Sequence, residues 1–323
     1  MRLYTTVDIV SSEKKIAYQD KILLLGSCFA DNIGEKFGEY YFQTTVNPMG
    51  TLYNPASIAA CLNGSFTPLN NAEQLIYHNG LWHSFSHHGA FSRVDKEAML
   101  QVCEESRTQL REALQRASIV IITFGTAWVY EYDGVVVANC HKIPANRFTR
   151  RCLTVNEIVD MWQPLVASMP DKHWIFTVSP IRHLKDGLHE NQLSKAILLQ
   201  AVDRLMALQA SRTSSTSSTS STSYFPSYEI MLDELRDYRF YAEDMVHPSA
   251  VAVEYIWQRF VDTYMNADTR SEMRVLHQLW RDRHHRCMHP NSIEAEQFAQ
   301  HIKTRLQELQ SRYPWLEVAY ELQ

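Results

Sequence analysis

Ser27 and Cys28 stand side by side directly after Gly26 and the apolar run Ile22-Leu23-Leu24-Leu25, ahead of a helical stretch at 31–40. The pattern reads as a buried strand ending in a tight turn that delivers a hydroxyl to the carboxyl edge of a sheet, at the positive end of the next helix. Attack on a carbonyl is stabilised there, but a hydroxyl of high pKa needs a base. The candidate base lies near the other end of the chain, in Asp244-Met245-Val246-His247-Pro248-Ser249. An Asp three residues before a His on a loop can turn back to hold one ring nitrogen while the other faces a nucleophile. The expectation is a triad in which Ser27 attacks a carbonyl, His247 moves the proton and Asp244 orients His247. The backbone amide of Ser27 is the natural first donor to the oxyanion.

Each residue also has a plainer reading. Ser27 can be a helix N-cap, His247 can close its loop, and Asp244 can cap the next helix, with Pro248 suited to a first helical turn. Cys28 competes with Ser27 as a nucleophile, because a helix N-terminus lowers a thiol pKa, but it is expected to be a packed side chain.

Positioning these groups requires a sheet. Short apolar, β-branched runs alternate with longer helical patterns, which predicts a mainly parallel sheet covered on both faces, an α/β/α sandwich. Strands are expected at 22–25, 42–46, 118–123, 174–178 and 228–232, and helices at 31–40, 55–62, 96–116, 155–168, 192–211 and 249–265. Thr154 and Glu157 form a capping box. Residues 130–139, with Asp133-Gly134 at their centre, predict a β-hairpin projecting beside the site. Arg182 and His183 follow the fourth strand and so belong on the same carboxyl edge as Ser27, where an arginine suits a carboxylate, a phosphate or a sugar hydroxyl. His141 and Lys142 close the hairpin and are placed similarly. The Ser/Thr run at 213–223 is expected to form a surface loop. From residue 268 the pattern is wholly helical, with amphipathic stretches at 273–285 and 293–312, so the chain divides into a catalytic domain at 1–267 and a helical extension at 268–323 that caps the domain or pairs two copies.

Composition narrows the function classes. With 323 residues and 45% hydrophobic content, the chain can bury a full core. A net charge of −5, with both signs mixed along the chain, gives no footprint for nucleic acid or an anionic membrane. The six cysteines include no C-x-x-C pair and read as reduced thiols. His83, His87 and His88, and His284, His285 and His289, lack carboxylate or cysteine ligands at metal-site spacing, so neither a metal nor a cofactor is expected. No signal-like or membrane-length apolar run is present, and a cytoplasmic protein is expected.

The same blocks resemble those of known proteins. The early strand-Gly-Ser turn and the late D-x-x-H are similar to the first and last blocks of the SGNH/GDSL hydrolase superfamily. The segment Gly26-Ser27-Cys28-Phe29-Ala30 looks like the defining motif of the GSCFA family, a bacterial group placed near that superfamily. Further segments with the same likeness are 47–55, 123–126, 139–142, 179–183 and 224–228, so the resemblance spans the chain to about residue 265. It implies a flavodoxin-like sandwich and hydrolysis of an ester, with a small acyl group on a carbohydrate as the substrate by analogy. Acyl transfer with the same triad, or a silent module that binds a glycan or a protein, are the alternatives. Gly50 matches the position of a second oxyanion amide. The third donor, an Asn in a G-x-N-D block, is replaced here by Gly125-Thr126-Ala127-Trp128, which leaves Thr126 and Asn139 as candidates and Asn54 behind them.

Overall fold

The computed structural model describes residues 5–64, 75–213, 222–289 and 292–316. In chain order the elements begin β1 (Lys21–Gly26), α1 (Cys28–Glu39), β2 (Gln43–Val46), α2 (Pro55–Leu62), β3 (Leu75–His78), β4 (Leu81–Ser84), α3 (Lys96–Arg116) and β5 (Ile119–Phe124). They continue with β6 (Trp128–Tyr132), β7 (Val135–Val137), β8 (Thr149–Cys152), α4 (Val155–Ala167), β9 (His173–Val178), α5 (Leu188–Thr213) and β10 (Thr222–Phe225). The last helices are the one-turn α6 (Ser227–Glu229), α7 (Ala250–Tyr264), α8 (Ala267–Arg283) and α9 (Ile293–Gln310).

β1, β2, β5, β9 and β10 form one parallel sheet in the order β10-β9-β5-β1-β2. Successive residues of a strand face opposite sides, and here both sides are apolar. On β5, Ile119 and Ile121 face α1 and α7, together with Phe37, Trp257 and Phe260. Val120 and Ile122 face the opposite layer, where α2 to α5 contribute Ile58, Leu110, Trp162 and Leu198. The result is the expected three-layer sandwich. Chain direction along the sheet reverses between β1 and β5, and in such sheets the crevice outside the carboxyl ends of those two strands is the usual ligand position.

The predicted hairpin is β6-β7, which gains β8 as a third antiparallel strand. The capping box at the start of α4 has both of its hydrogen bonds. One expectation moves. The fifth sheet strand is β10, not 228–232, because Thr222-Ser223-Tyr224-Phe225 pairs with β9 and Pro226 then ends the strand. Residues 227–234 are instead helical. The rest of the Ser/Thr run lies outside the described residues. Met273 and Leu276 of α8, with Ile302 and Leu306 of α9, join the core cluster of Phe37 and Trp257, so the tail caps the α1–α7 layer.

Candidate active site

The strand-to-helix turn after β1 is fixed by a close approach. Gly26 has φ +141°, and a Cβ there would fall 2.1 Å from the carbonyl oxygen of Thr123 on β5. Asn47 holds the same corner from the other side: its Oδ1 accepts from the Gly26 N–H at 2.9 Å, and its Nδ2 donates to Asp31 Oδ1 at 2.7 Å.

From this corner the two candidate nucleophiles diverge. Ser27 is the N-cap of α1, only 1% exposed, and its Oγ accepts from the Phe29 N–H at 3.3 Å. Its side chain folds back on its own helix. Cys28, the first residue of α1, is half-buried and lines a cleft, and its Sγ lies 3.5 Å from Nε2 of His247. The other ring nitrogen, Nδ1, donates to Asp244 Oδ2 at 2.6 Å, while Asp244 Oδ1 accepts from the N–H groups of Val246 and His247 at 2.9 and 3.0 Å. Asp244 and His247 therefore meet as the D-x-x-H spacing implies. The side chain they face is Cys28, which corrects the expected Ser27 contact. An N-cap side chain is drawn to the orphan N–H groups of its helix, whereas the next side chain is free to project.

Charge at the site follows from these contacts. The backbone N–H and then the ring of His247, with the Val246 N–H, hold the Asp244 carboxyl down to about 2. Burial pushes the Cys28 thiol up, and nearby Asp31 adds to this against the opposing N–H groups of Cys28 and Phe29 and the Lys195 ammonium. The resting group is thus a thiol awaiting a base, rather than a preformed thiolate.

The expected oxyanion donors are mostly engaged. The Ser27 N–H donates to Thr123 O at 3.1 Å and the Gly50 N–H to Asn47 O at 2.7 Å. The Thr126 N–H donates to Tyr53 O at 3.0 Å, and its hydroxyl is shared with Ser194 at 3.0 Å. Asn139 and Asn54 line the cleft. Each uses its Oδ1 locally, accepting from the His141 N–H at 2.8 Å and from the Ser57 N–H at 2.8 Å respectively.

The cleft itself has a volume of about 750 Å³ and lies at the carboxyl edge of the sheet between the hairpin and the His247 loop. Arg182 and His183 line it, as their position after β9 implied. His141 does not. Its ring is buried beneath the hairpin, stacked on His83, with Nε2 donating to Ser84 O at 2.7 Å. Lys195 escaped the sequence reading altogether. It is 1% exposed in the middle of α5, and its Nζ donates to Gly125 O at 2.6 Å and Ser179 O at 2.7 Å, tying together the ends of β5 and β9. Burial brings its pKa down to about 7. The clue in the sequence is a lysine in helical register with the apolar residues Leu198 and Val202, which are buried on the same face.

Buried histidines give the fold an acid limit. Burial lowers His87 to about 3 and His141, His173 and His183 to about 4. An unfolded histidine takes a proton near pH 6.5, so each contributes stability that is complete above that value and is lost as pH falls toward 4, on the order of 2 to 3 kcal/mol per residue. The urea midpoint is expected to drop steeply as pH falls from 6.5 to 4.5. A midpoint that held steady through that window would mean these rings are not kept neutral by burial.

No helix among the described residues is long and apolar enough to cross a membrane. No curated protein matches the chain, and no solved structure does. Two family matches divide the sequence, the GSCFA family over residues 21–260 and the C-terminal domain of GSCFA domain proteins over residues 276–323. The first covers the whole sheet and every residue of the cleft, and the chain belongs to the GSCFA family.

Proposed function

We propose that this protein hydrolyses esters through an acyl-enzyme formed on Cys28. The observation that carries the reading is the 3.5 Å contact between Cys28 Sγ and His247 Nε2, with Asp244 holding the other ring nitrogen. In this reading Nε2 takes the thiol proton as sulfur attacks the ester carbonyl. The oxyanion rests against the Cys28 N–H at the N-terminus of α1, since the Ser27, Phe29 and Ala30 N–H groups are already bonded, with the Asn54 and Asn139 carboxamides on the same cleft wall. His247 returns the proton to the leaving alcohol, then takes one from water, which attacks the thioester; the C–S bond breaks, the acid is freed and His247 gives that proton to the departing Cys28 sulfur. Asp244 keeps the proton on Nδ1 and favours the imidazolium that forms twice per cycle.

A strand-turn nucleophile and a late D-x-x-H are also what the likeness to SGNH/GDSL hydrolases implies, which supports a small acyl group, such as one on a carbohydrate, as the substrate class. An alcohol in place of water would make the reaction acyl transfer without changing any residue's role. Hydrolysis of p-nitrophenyl esters tests the proposal. His247→Gln is expected to lower kcat about 10³-fold, as loss of a general base does. Asp244→Asn is expected to lower it less, because Asp244 is exposed to water. A His247→Gln enzyme that turned over at the parent rate would end the proposal.

A further inference from the structure

We propose that the substrate carries an oxyanion group, a carboxylate or a phosphate, which docks on Arg182 beside His247. This rests on the reading of the Cys28 cleft as a reaction site. The charges lining the cleft do not balance. Asp186 is the one carboxylate in its lining, and it is already paired with Arg150. Arg182 and Lys185 also line the cleft, and neither belongs to any ion pair among the described residues. Asp244 lies behind His247 outside the lining, with its oxygens committed to three N–H donors.

Arg182 is also held in place before any ligand arrives. Its N–H donates to Val246 O at 3.2 Å, which ties it to the residue preceding His247. Its guanidinium lies over the Tyr241 ring at 3.9 Å and near Tyr238 at 5.1 Å. Stacking of this kind fixes the plane of the guanidinium and leaves its edge N–H groups to donate to an oxyanion in paired fashion. The hairpin side of the cleft presents Trp128, Tyr130 and Phe148, with Arg150 stacked on Trp128 at 3.7 Å. An apolar acyl or leaving group suits that wall, and its anionic end suits Arg182.

The test uses the Cys28 thiol as a reporter of charge. Three methanethiosulfonate reagents, one bearing a sulfonate, one uncharged and one bearing a quaternary ammonium, are reacted with the full chain. Peptide mapping separates Cys28 from Cys140, which also lines the cleft. After normalisation to free cysteine, the sulfonate reagent is expected to modify Cys28 about tenfold faster than the uncharged one, and the ammonium reagent more slowly. Arg182→Gln should remove that advantage and Arg182→Lys keep part of it, with circular dichroism showing both variants folded. Glutarate and inorganic phosphate are then compared as protectants. The one effective at lower concentration separates a carboxylate from a phosphate as the group bound. Equal rates for the three reagents, an anion preference that survives Arg182→Gln, or protection by neither anion would overturn the inference. Disulfide formation with these reagents requires no ester turnover, so failure of the hydrolase reading and failure of the Arg182 site give different results.

Discussion

Cys28→Ala is expected to lower ester turnover by about 10³-fold or more, while Ser27→Ala keeps most of it. Removing a nucleophile leaves only binding and the residual electrostatics of the site, and losses of that size are the usual result. Ser27 is not in the lining of the cleft. Its hydroxyl accepts from the Phe29 N–H, so its removal should cost about 1 kcal/mol of stability, the ordinary value of an N-cap, and little activity at 25 °C. Cys28→Ser separates the two effects further. It keeps the shape of the site but replaces a thiol with a hydroxyl that is much harder to deprotonate, so turnover should fall nearly as far as with alanine. Measuring kcat/KM alongside thermal melting distinguishes the roles: Cys28→Ala loses rate with an unchanged melt, and Ser27→Ala loses a few degrees with nearly unchanged rate. The reverse pattern would return the nucleophile to Ser27.

The second large effect belongs to Gly26. In Gly26→Ala the new methyl would meet the Thr123 carbonyl at 2.1 Å, in a backbone conformation of φ +141° that side chains rarely adopt. Neither neighbour can yield. Thr123 lies near the carboxyl end of β5, the central strand, paired to both β1 and β9, and its carbonyl also accepts the Ser27 N–H. Relief would require β1 and β5 to part where the sheet is most buried. The expected cost exceeds about 4 kcal/mol, a large share of what a domain of this kind has in reserve. Urea titration should therefore show a midpoint lowered by about 1 M or more, or no cooperative transition. A Gly26→Ala protein of near-parent stability would show that β1 can shift along β5, and the geometry of the Cys28 turn would have to be reconsidered with it.

Much of this arrangement was legible in the sequence because it depends on local signals. The run at 22–25 followed by Gly26, the Asp133-Gly134 turn and the Thr154–Glu157 box each carry their own physics, and each stands where expected. That the turn carrying Ser27 and Cys28 meets the loop of His247 was also legible, from the strand-Gly-Ser turn and the late D-x-x-H, although the contact expected there was that of Ser27. The choice between Ser27 and Cys28 was not. One residue of helical phase decides which side chain caps the helix and which faces the cleft, and that phase is set by Gly26, Thr123 and Asn47 in the folded sheet. The same limit applies to Gly50 and Thr126, whose N–H groups are consumed by Asn47 and Tyr53, and to His141, which the hairpin turns toward Ser84. Lys195 was hidden for another reason. Its partners are backbone carbonyls of two loops distant in sequence, and no residue type announces them. The misplaced fifth strand reflects a Ser/Thr-rich stretch whose β-pairing depends on β9 rather than on its own apolarity.

The most direct test of the central claim is chemical trapping of the acyl-enzyme. The protein is mixed with p-nitrophenyl acetate, quenched in acid, and its mass measured before and after neutral hydroxylamine, which cleaves thioesters and spares ordinary esters. One acetyl group is expected, mapped to the peptide that starts α1, removed by neutral hydroxylamine, absent in Cys28→Ala and present in Ser27→Ala. An acetyl group that resists neutral hydroxylamine and disappears only in Ser27→Ala would contradict a Cys28 nucleophile.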